Sequence, residues 1–430
     1  MRDGGSDPPP VCAVDWGVRR AAILVLFVLA WAVTGQSRQV AISSGPGSPV
    51  ILISFDGWRW DYDAKAPAPN LRRLMARGVR ARYLVPSFPS KTFPNHYTIA
   101  TGLHPGHHGV IANYMKDPRT GRSFAPSKQE EVRDPVWWGG EPIWVTAERA
   151  SQPTAAMFWP GSEAPIKGVL PRYWTPFDPA LPATDRVDRV LAWLDLPPEQ
   201  RPTFISLYFE DTDEAGHNYG PESSQVREAI MRADAYLGRL VQGLERRSLL
   251  DQVNIVVVSD HGMAAVRNDR VVVLDDYISL DDVEIVDINP LLSIYPKPGK
   301  DEAVYRALAS AHPRLKMYRP GTTPEHWQYR DHPRVPPIFG VADEGWQVMR
   351  RTSLEDIRSG RTLSGGQHGY DPRTAPSMRA LFVAAGPAFK RNVTVPAFQN
   401  IHIYNALAAA LGVTPAANDG DPAIALALLR

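Results

Sequence analysis

The chain has 430 residues, 47 Lys and Arg against 46 Asp and Glu, 44% hydrophobic residues, 41 Pro and one Cys. A chain this long and this apolar can bury one large core or two ordinary ones, which argues against disorder for its bulk. A formal charge of +1 leaves no global basic field to hold a phosphate backbone, so a general or sequence-specific nucleic-acid binder is not expected and any nucleotide contact is local.

In chain order, Arg19 and Arg20 precede an apolar run from Ala21 to Val33 with an A-x-A-like site at Ala30 and Ala32. Residues 1–36 therefore read as an export signal, which places the mature protein in a periplasm or outside the cell. The run is shorter than the roughly 20 residues a spanning helix needs, so no stable membrane insertion is expected after cleavage. Cys12 is lost with the signal, leaving a mature chain without a disulfide. Residues 37–48 form a flexible leader carrying the run SSGPGSP from Ser43.

Val50–Phe55 (VILISF) is a continuous apolar run of the kind a strand buried on both faces needs, and it ends in Asp56-Gly57. Asn70 is expected to cap a helix closed by Gly78, and Pro94 to open one from about Asn95 to Thr101 that Gly102 stops. Further strands read at Phe204–Phe209, Val253–Ser259 and Ala380–Ala384, with helical patterns at about 184–195, 222–247 and 401–411. This alternation predicts an α/β fold with a mostly parallel central sheet and helices on both faces. One body spans 49–430, with 262–365 as a smaller inserted lobe.

Ligands of such sheets gather beyond the strands' carboxyl ends, and polar residues appear there. Asp56 follows the first strand, Glu210, Asp211 and Asp213 the second, and Asp260-His261 the third. Asp213 and His217, four residues apart, suit two ligands on one turn or tight loop. His368 sits between glycines in GGQHGYDP. Singly, each has a plain reading as a solvated loop, a helix cap or a surface histidine. Together with a hydroxyl they make the oxygen and nitrogen set that suits zinc in hydrolytic sites. Thr92 supplies that hydroxyl near a helix N-terminus, where an anion is favoured; it needs a base or a metal to act as a nucleophile.

The ordered motifs FDG, KTFPNHYxIxTGLxPxxHG, GEPIWVTA, DxDxxGHxYGP, SDHGM, QHGYD and ALFVAxGPxF resemble the nucleotide pyrophosphatase/phosphodiesterase family of the alkaline phosphatase superfamily, over about residues 49–430. The resemblance implies an alkaline phosphatase-like fold and zinc-dependent hydrolysis of nucleotide phosphodiester and pyrophosphate bonds, releasing nucleoside 5′-monophosphates. It implies two zinc ions per chain, one on Asp213, His217 and His368, the other on Asp56, Asp260, His261 and Thr92. Thr92 is then the nucleophile of a covalent intermediate, and its two displacements give net retention at phosphorus. Two metals roughly 3.5–4 Å apart clamp the attacking and leaving oxygens.

By the same resemblance Asn113 donates to a phosphate oxygen, while Phe93 and Tyr208 sandwich a nucleobase. Tyr173, Trp174 and Phe177 occupy the segment of a further base-contacting aromatic, and the sequence does not assign which of the three makes the contact. The substrate is a small nucleotide or another phosphodiester, and no protein partner is expected. His96, His104, His107 and His108 are read as structural. The chain resembles the short, catalytic-domain-only form typical of bacterial relatives. The alternatives are a choline phospholipid phosphodiesterase or a phosphomonoesterase of the same superfamily; a sulfatase would want a C/S-x-P-x-R setting, which KTFPN lacks.

Overall fold

The computed structural model describes residues 48–430 apart from 331; the expected signal (1–36), Cys12 and the leader to residue 47 lie outside the described residues. The elements that frame the site are, in chain order, β1 (Val50–Phe55), α1 (Pro69–Arg77), β2 (Val79–Ala81), α2 (Thr92–Thr101), β3 (Thr154–Met157), β4 (Tyr173–Trp174), α3 (Ala183–Leu194), β5 (Phe204–Phe209) and α4 (Asp211–Tyr219). They continue with α5 (Ser224–Arg246), β6 (Asn254–Val258), β7 (Val283–Ile288), β8 (Leu291–Pro296), β9 (Leu315–Tyr318), β10 (Ile338–Ala342), β11 (Phe382–Ala385), β12 (Val393–Val395) and α6 (Ile403–Leu411).

The main sheet has the order β12-β2-β11-β6-β1-β5-β3-β4. β1 lies between β5 and β6 and is parallel to both. β3 is parallel to β5 and β4, whereas β11 runs antiparallel between β6 and β2. Every residue of β1 is buried, as a continuous apolar run in a central parallel strand requires. Alternation then sends Val50 and Leu52 into one core with Tyr97, Ile99 and Leu407 from α2 and α6. Ile51, Ile53 and Phe55 enter the opposite core with Leu71, Val190 and Leu240 from α1, α3 and α5. Helices thus cover both faces as expected, and each fully buried aliphatic or Phe side chain contributes about 1.5–3 kcal/mol of transfer free energy.

Two helix starts differ from expectation. α2 begins at Thr92, with Lys91 as an extended N-cap; Pro94 therefore occupies the third helical position, still in the first turn, where its missing N–H costs nothing. Asn70 is not a cap, because Pro69 opens α1 after Ala68. Its amide instead donates to Asp234 Oδ2 on α5 at 2.8 Å. Gly102, in the left-handed conformation, does close α2.

A second, antiparallel sheet of order β7-β8-β10-β9 lies within 283–342. Val283, Leu292, Ile294, Leu315 and Ile338 belong to its own core. Among the described residues no helix is long and apolar enough to cross a membrane.

Candidate active site

Strand register brings the chemistry to one edge. Ser54 of β1 pairs with Tyr208 of β5 and Val258 of β6, so Asp56 and Asp260 leave neighbouring strand ends at nearly one level. Both continue the phase of the residues that face α2: Val50 and Leu52 on β1, Val256 and Val258 on β6. Gly57, at φ +67°, allows the close packing that follows, since a Cβ there would stand 2.8 Å from Asp213 Cα. Asp213 and His217 lie on α4 rather than in a loop. Spacing of four residues on a helix puts them on one face.

All seven side chains named as metal ligands converge. His261 Nε2 is 2.9 Å from Asp260 Oδ2, 3.5 Å from Asp56 Oδ1 and 3.3 Å from Thr92 Oγ1. His217 Nε2 is 3.5 Å from Asp213 Oδ2 and 3.0 Å from His368 Nε2. The His261 and His368 rings stack with centroids 3.5 Å apart, which joins the two expected ligand groups into one cluster. Ligand atoms of Asp213, His261 and His368 lie within 4.8 Å of one another.

The imidazoles are oriented from outside. Nδ1–H donates to a backbone carbonyl in each: His217 to Gly366 at 3.1 Å, His261 to Gly262 at 2.9 Å and His368 to Ser90 at 2.9 Å. That turns all three Nε2 atoms toward the cluster, with the second contact at Nδ1 typical of metal-binding histidines. Asp56 Oδ1, Asp213 Oδ1 and Asp260 Oδ2 are buried without a hydrogen-bond partner. Orphaned buried carboxylate oxygens are costly, and two Nε2 atoms facing each other at 3.0 Å need a proton or a cation between them. Cations between these atoms relieve both, so the residues present fit a metal centre.

Charge tells the same story. Burial, followed by the charges of Asp260 and Asp213, raises the Asp56 carboxyl well above its ordinary range. Burial also acts to raise Asp260, but His261 and His96 outweigh it and leave Asp260 below that range. Burial and then the neighbouring His261 and His217 push His368 well below an ordinary histidine, which keeps its Nε2 free of a proton.

His96 comes within 3.4 Å of Asp260, and Asp56, His96 and Asp260 also cluster. Its ring nitrogens are already engaged by the chain, Nδ1 with Thr92 O at 2.9 Å and Nε2 with Ser54 Oγ at 2.7 Å. It braces the cluster. His108 is likewise held inside the fold, by Thr98 Oγ1 at 3.0 Å.

Beside Thr92 lies a cavity of about 390 Å³ walled by Phe93, Val132, Phe158, Phe177 and Tyr208. Asn113 Oδ1 accepts the Phe93 N–H at 2.9 Å, which fixes the amide beside the first turn of α2. The structure corrects two placements. Tyr173 and Trp174 do not line this cavity; they form β4 at the sheet edge, with the Tyr173 ring on Trp193 and its hydroxyl on Gln200 O. Phe177 lines it instead, because its N–H is pinned to Glu163 Oε1 at 2.9 Å and its ring packs edge-on against Phe158.

Comparison with known proteins agrees with this geometry. Residues 50–371 match the family described as type I phosphodiesterase / nucleotide pyrophosphatase. The chain is 36% identical over 401 residues to human ectonucleotide pyrophosphatase/phosphodiesterase family member 5, covering 93% of this chain and 81% of the relative. It is 37% identical over 384 residues to the venom phosphodiesterase CdcPDE of Crotalus durissus collilineatus, with 87% of this chain and 45% of the relative covered. Murine ectonucleotide pyrophosphatase/phosphodiesterase 5 superposes with a TM-score of 0.84 at 36% identity, over 89% of this chain and 100% of the murine one; an inactive threonine-to-alanine variant of that protein has been solved in complex with AMP. An alkaline phosphatase-like fold, a cluster of carboxylates and imidazoles at the sheet's carboxyl edge, and similarity over nearly the whole described chain lead to one conclusion: the chain belongs to the type I phosphodiesterase/nucleotide pyrophosphatase family.

Proposed function

We propose that this chain hydrolyses nucleotide phosphodiester and diphosphate bonds, releasing nucleoside 5′-monophosphates, through a covalent intermediate on Thr92 beside two zinc ions. Membership of the family makes it a hydrolase of phosphodiester and diphosphate bonds. The observation that carries the finer reading is the Thr92 hydroxyl, 3.3 Å from His261 Nε2 at the rim of an aromatic cavity. Asp213, His217 and His368 would hold one zinc, and Asp56, Asp260, His261 and Thr92 the other. Bound there, zinc lowers the pKa of a hydroxyl or water and balances charge on phosphoryl oxygens.

The chain's own groups do the rest. Thr92 Oγ1 forms a bond to phosphorus as the bond to the leaving oxygen breaks; water then cleaves the Thr92–phosphorus bond and restores the hydroxyl. The Asn113 amide N–H donates to a phosphoryl oxygen, its Oδ1 being occupied by the Phe93 N–H. Phe93 and Tyr208 bind the base between them, with Phe177 closing the wall. The AMP held by the murine relative is a nucleoside 5′-monophosphate, the product class proposed here. The export signal expected from the sequence, and relatives named as an ectonucleotide pyrophosphatase/phosphodiesterase and a venom phosphodiesterase, support action outside the cytoplasm on small nucleotides.

Asn113→Ala is expected to lower kcat about 10²- to 10³-fold, the usual effect of removing one such donor, with little change in KM. Phe177→Ala should raise KM for a nucleotide diester severalfold, whereas Trp174→Ala should leave it unchanged. Initial-rate kinetics on p-nitrophenyl thymidine monophosphate check both. The assignment itself is tested by comparing that substrate with a nucleoside triphosphate, p-nitrophenyl phosphate and glycerophosphocholine. The two nucleotides should be fastest. Preference for glycerophosphocholine would identify a choline phospholipid phosphodiesterase, and preference for p-nitrophenyl phosphate a phosphomonoesterase.

A further inference from the structure

Tyr208 has a second contact that stacking does not use. Its hydroxyl donates to Asp56 Oδ2 at 2.7 Å, and among the described residues this is the one hydrogen bond that the Asp56 carboxylate accepts. Asp56 Oδ1 is left without a partner, 3.5 Å from His261 Nε2. The Asp56 backbone is fixed independently, its N–H by Phe209 O at 2.9 Å and its carbonyl by Thr212 Oγ1. The side-chain torsions of Asp56 therefore depend on Tyr208.

Tyr208 is itself rigid. Its carbonyl accepts from Arg186 Nη1 at 3.1 Å, and its ring meets His96 and Phe177 edge-on at 5.3 and 6.0 Å. Parallel pairing of β1 with β5 sets Tyr208 beside Ser54, two residues before Asp56 and in the same phase. One side chain thus joins the cavity wall, through its ring, to the Asp56 carboxylate, through its hydroxyl.

We infer that Tyr208 is a positioning residue for the metal centre as well as a wall of the base pocket: its hydroxyl takes up one Asp56 oxygen and turns the other toward His261. This rests on the metal reading given above. Ligating carboxylates are themselves hydrogen-bonded, and losing such an outer contact costs roughly 10- to 100-fold in metal affinity or activity. A phenylalanine keeps the ring and removes the hydroxyl.

The experiment titrates Zn²⁺ against a chromogenic chelator in wild type, Tyr208→Phe and Tyr208→Ala, and measures kcat/KM for p-nitrophenyl thymidine monophosphate and a base-free aryl alkyl phosphodiester. Tyr208→Phe should bind Zn²⁺ about 10- to 100-fold more weakly. At limiting Zn²⁺ it should lose both activities equally, so their ratio stays at the wild-type value, and added Zn²⁺ should restore part of each. Tyr208→Ala should show the same metal defect and, in addition, a loss of about 5- to 150-fold confined to the nucleotide. Wild-type Zn²⁺ affinity in Tyr208→Phe would overturn the inference and leave the pocket role alone. A wild-type chain that bound no Zn²⁺ would instead defeat the reading of the metal centre beneath it.

Discussion

Thr92→Ala is expected to fold normally and to lose roughly 10³-fold or more of its diesterase turnover, the scale seen when a covalent nucleophile is removed. The fold should survive because the side chain does little for it. Thr92 opens α2 without capping it, and among the described residues its hydroxyl makes one hydrogen bond, to His261. Thr92→Ser keeps the hydroxyl but loses the branch at Cβ that restricts its rotamer, so it should retain part of the rate. Turnover of p-nitrophenyl thymidine monophosphate, read beside near-ultraviolet circular dichroism, separates chemistry from folding. Near wild-type rates in Thr92→Ala would mean that water attacks phosphorus directly.

The second large effect concerns the cluster that surrounds that hydroxyl. Asp260→Ala should remove both metal and activity, the latter by at least about 10²-fold, since ligands acting as one unit do not fail independently. Asp260 is fully buried, contacts His261 at 2.9 Å and accepts the Gly57 N–H at 3.2 Å. Its loss also takes away the carboxylate that His261 and His96 face at 2.9 and 3.4 Å. Some destabilisation will accompany it, because the buried Gly57 N–H loses its acceptor, a loss of about 1–3 kcal/mol. His368→Ala is the complementary variant: it touches no carboxylate hydrogen bond yet withdraws one Nε2 and the ring stacked on His261. Atomic emission on the purified proteins should give two zinc ions per wild-type chain and fewer in either variant. A variant with full activity and wild-type metal content would contradict the ligand assignment.

How much of this could be read from the sequence differs from element to element. The strands were legible because a strand buried on both faces must be apolar throughout, and VILISF and FISLYF carry few alternatives. The candidate ligands followed, since a carboxylate or imidazole placed just beyond such a run stands at the sheet's carboxyl edge. The start of α2 was not legible: proline favours several first-turn positions, and only the extended backbone of Lys91 settles which. Phe177 could not be told from Tyr173 and Trp174 either. The choice depends on which side of an irregular segment the Glu163 carboxylate captures, 14 residues earlier in the chain. The Tyr208–Asp56 bond joins residues 152 apart and depends on strand order and register. No local pattern reports those.

The central claim is a covalent intermediate on Thr92, and the stereochemical course at phosphorus tests it most directly. A thymidine phosphorothioate diester of known configuration, hydrolysed by the wild-type enzyme in isotopically labelled water, should give product with net retention, because two in-line displacements each invert the centre. Net inversion would mean a single displacement by water and would contradict the account.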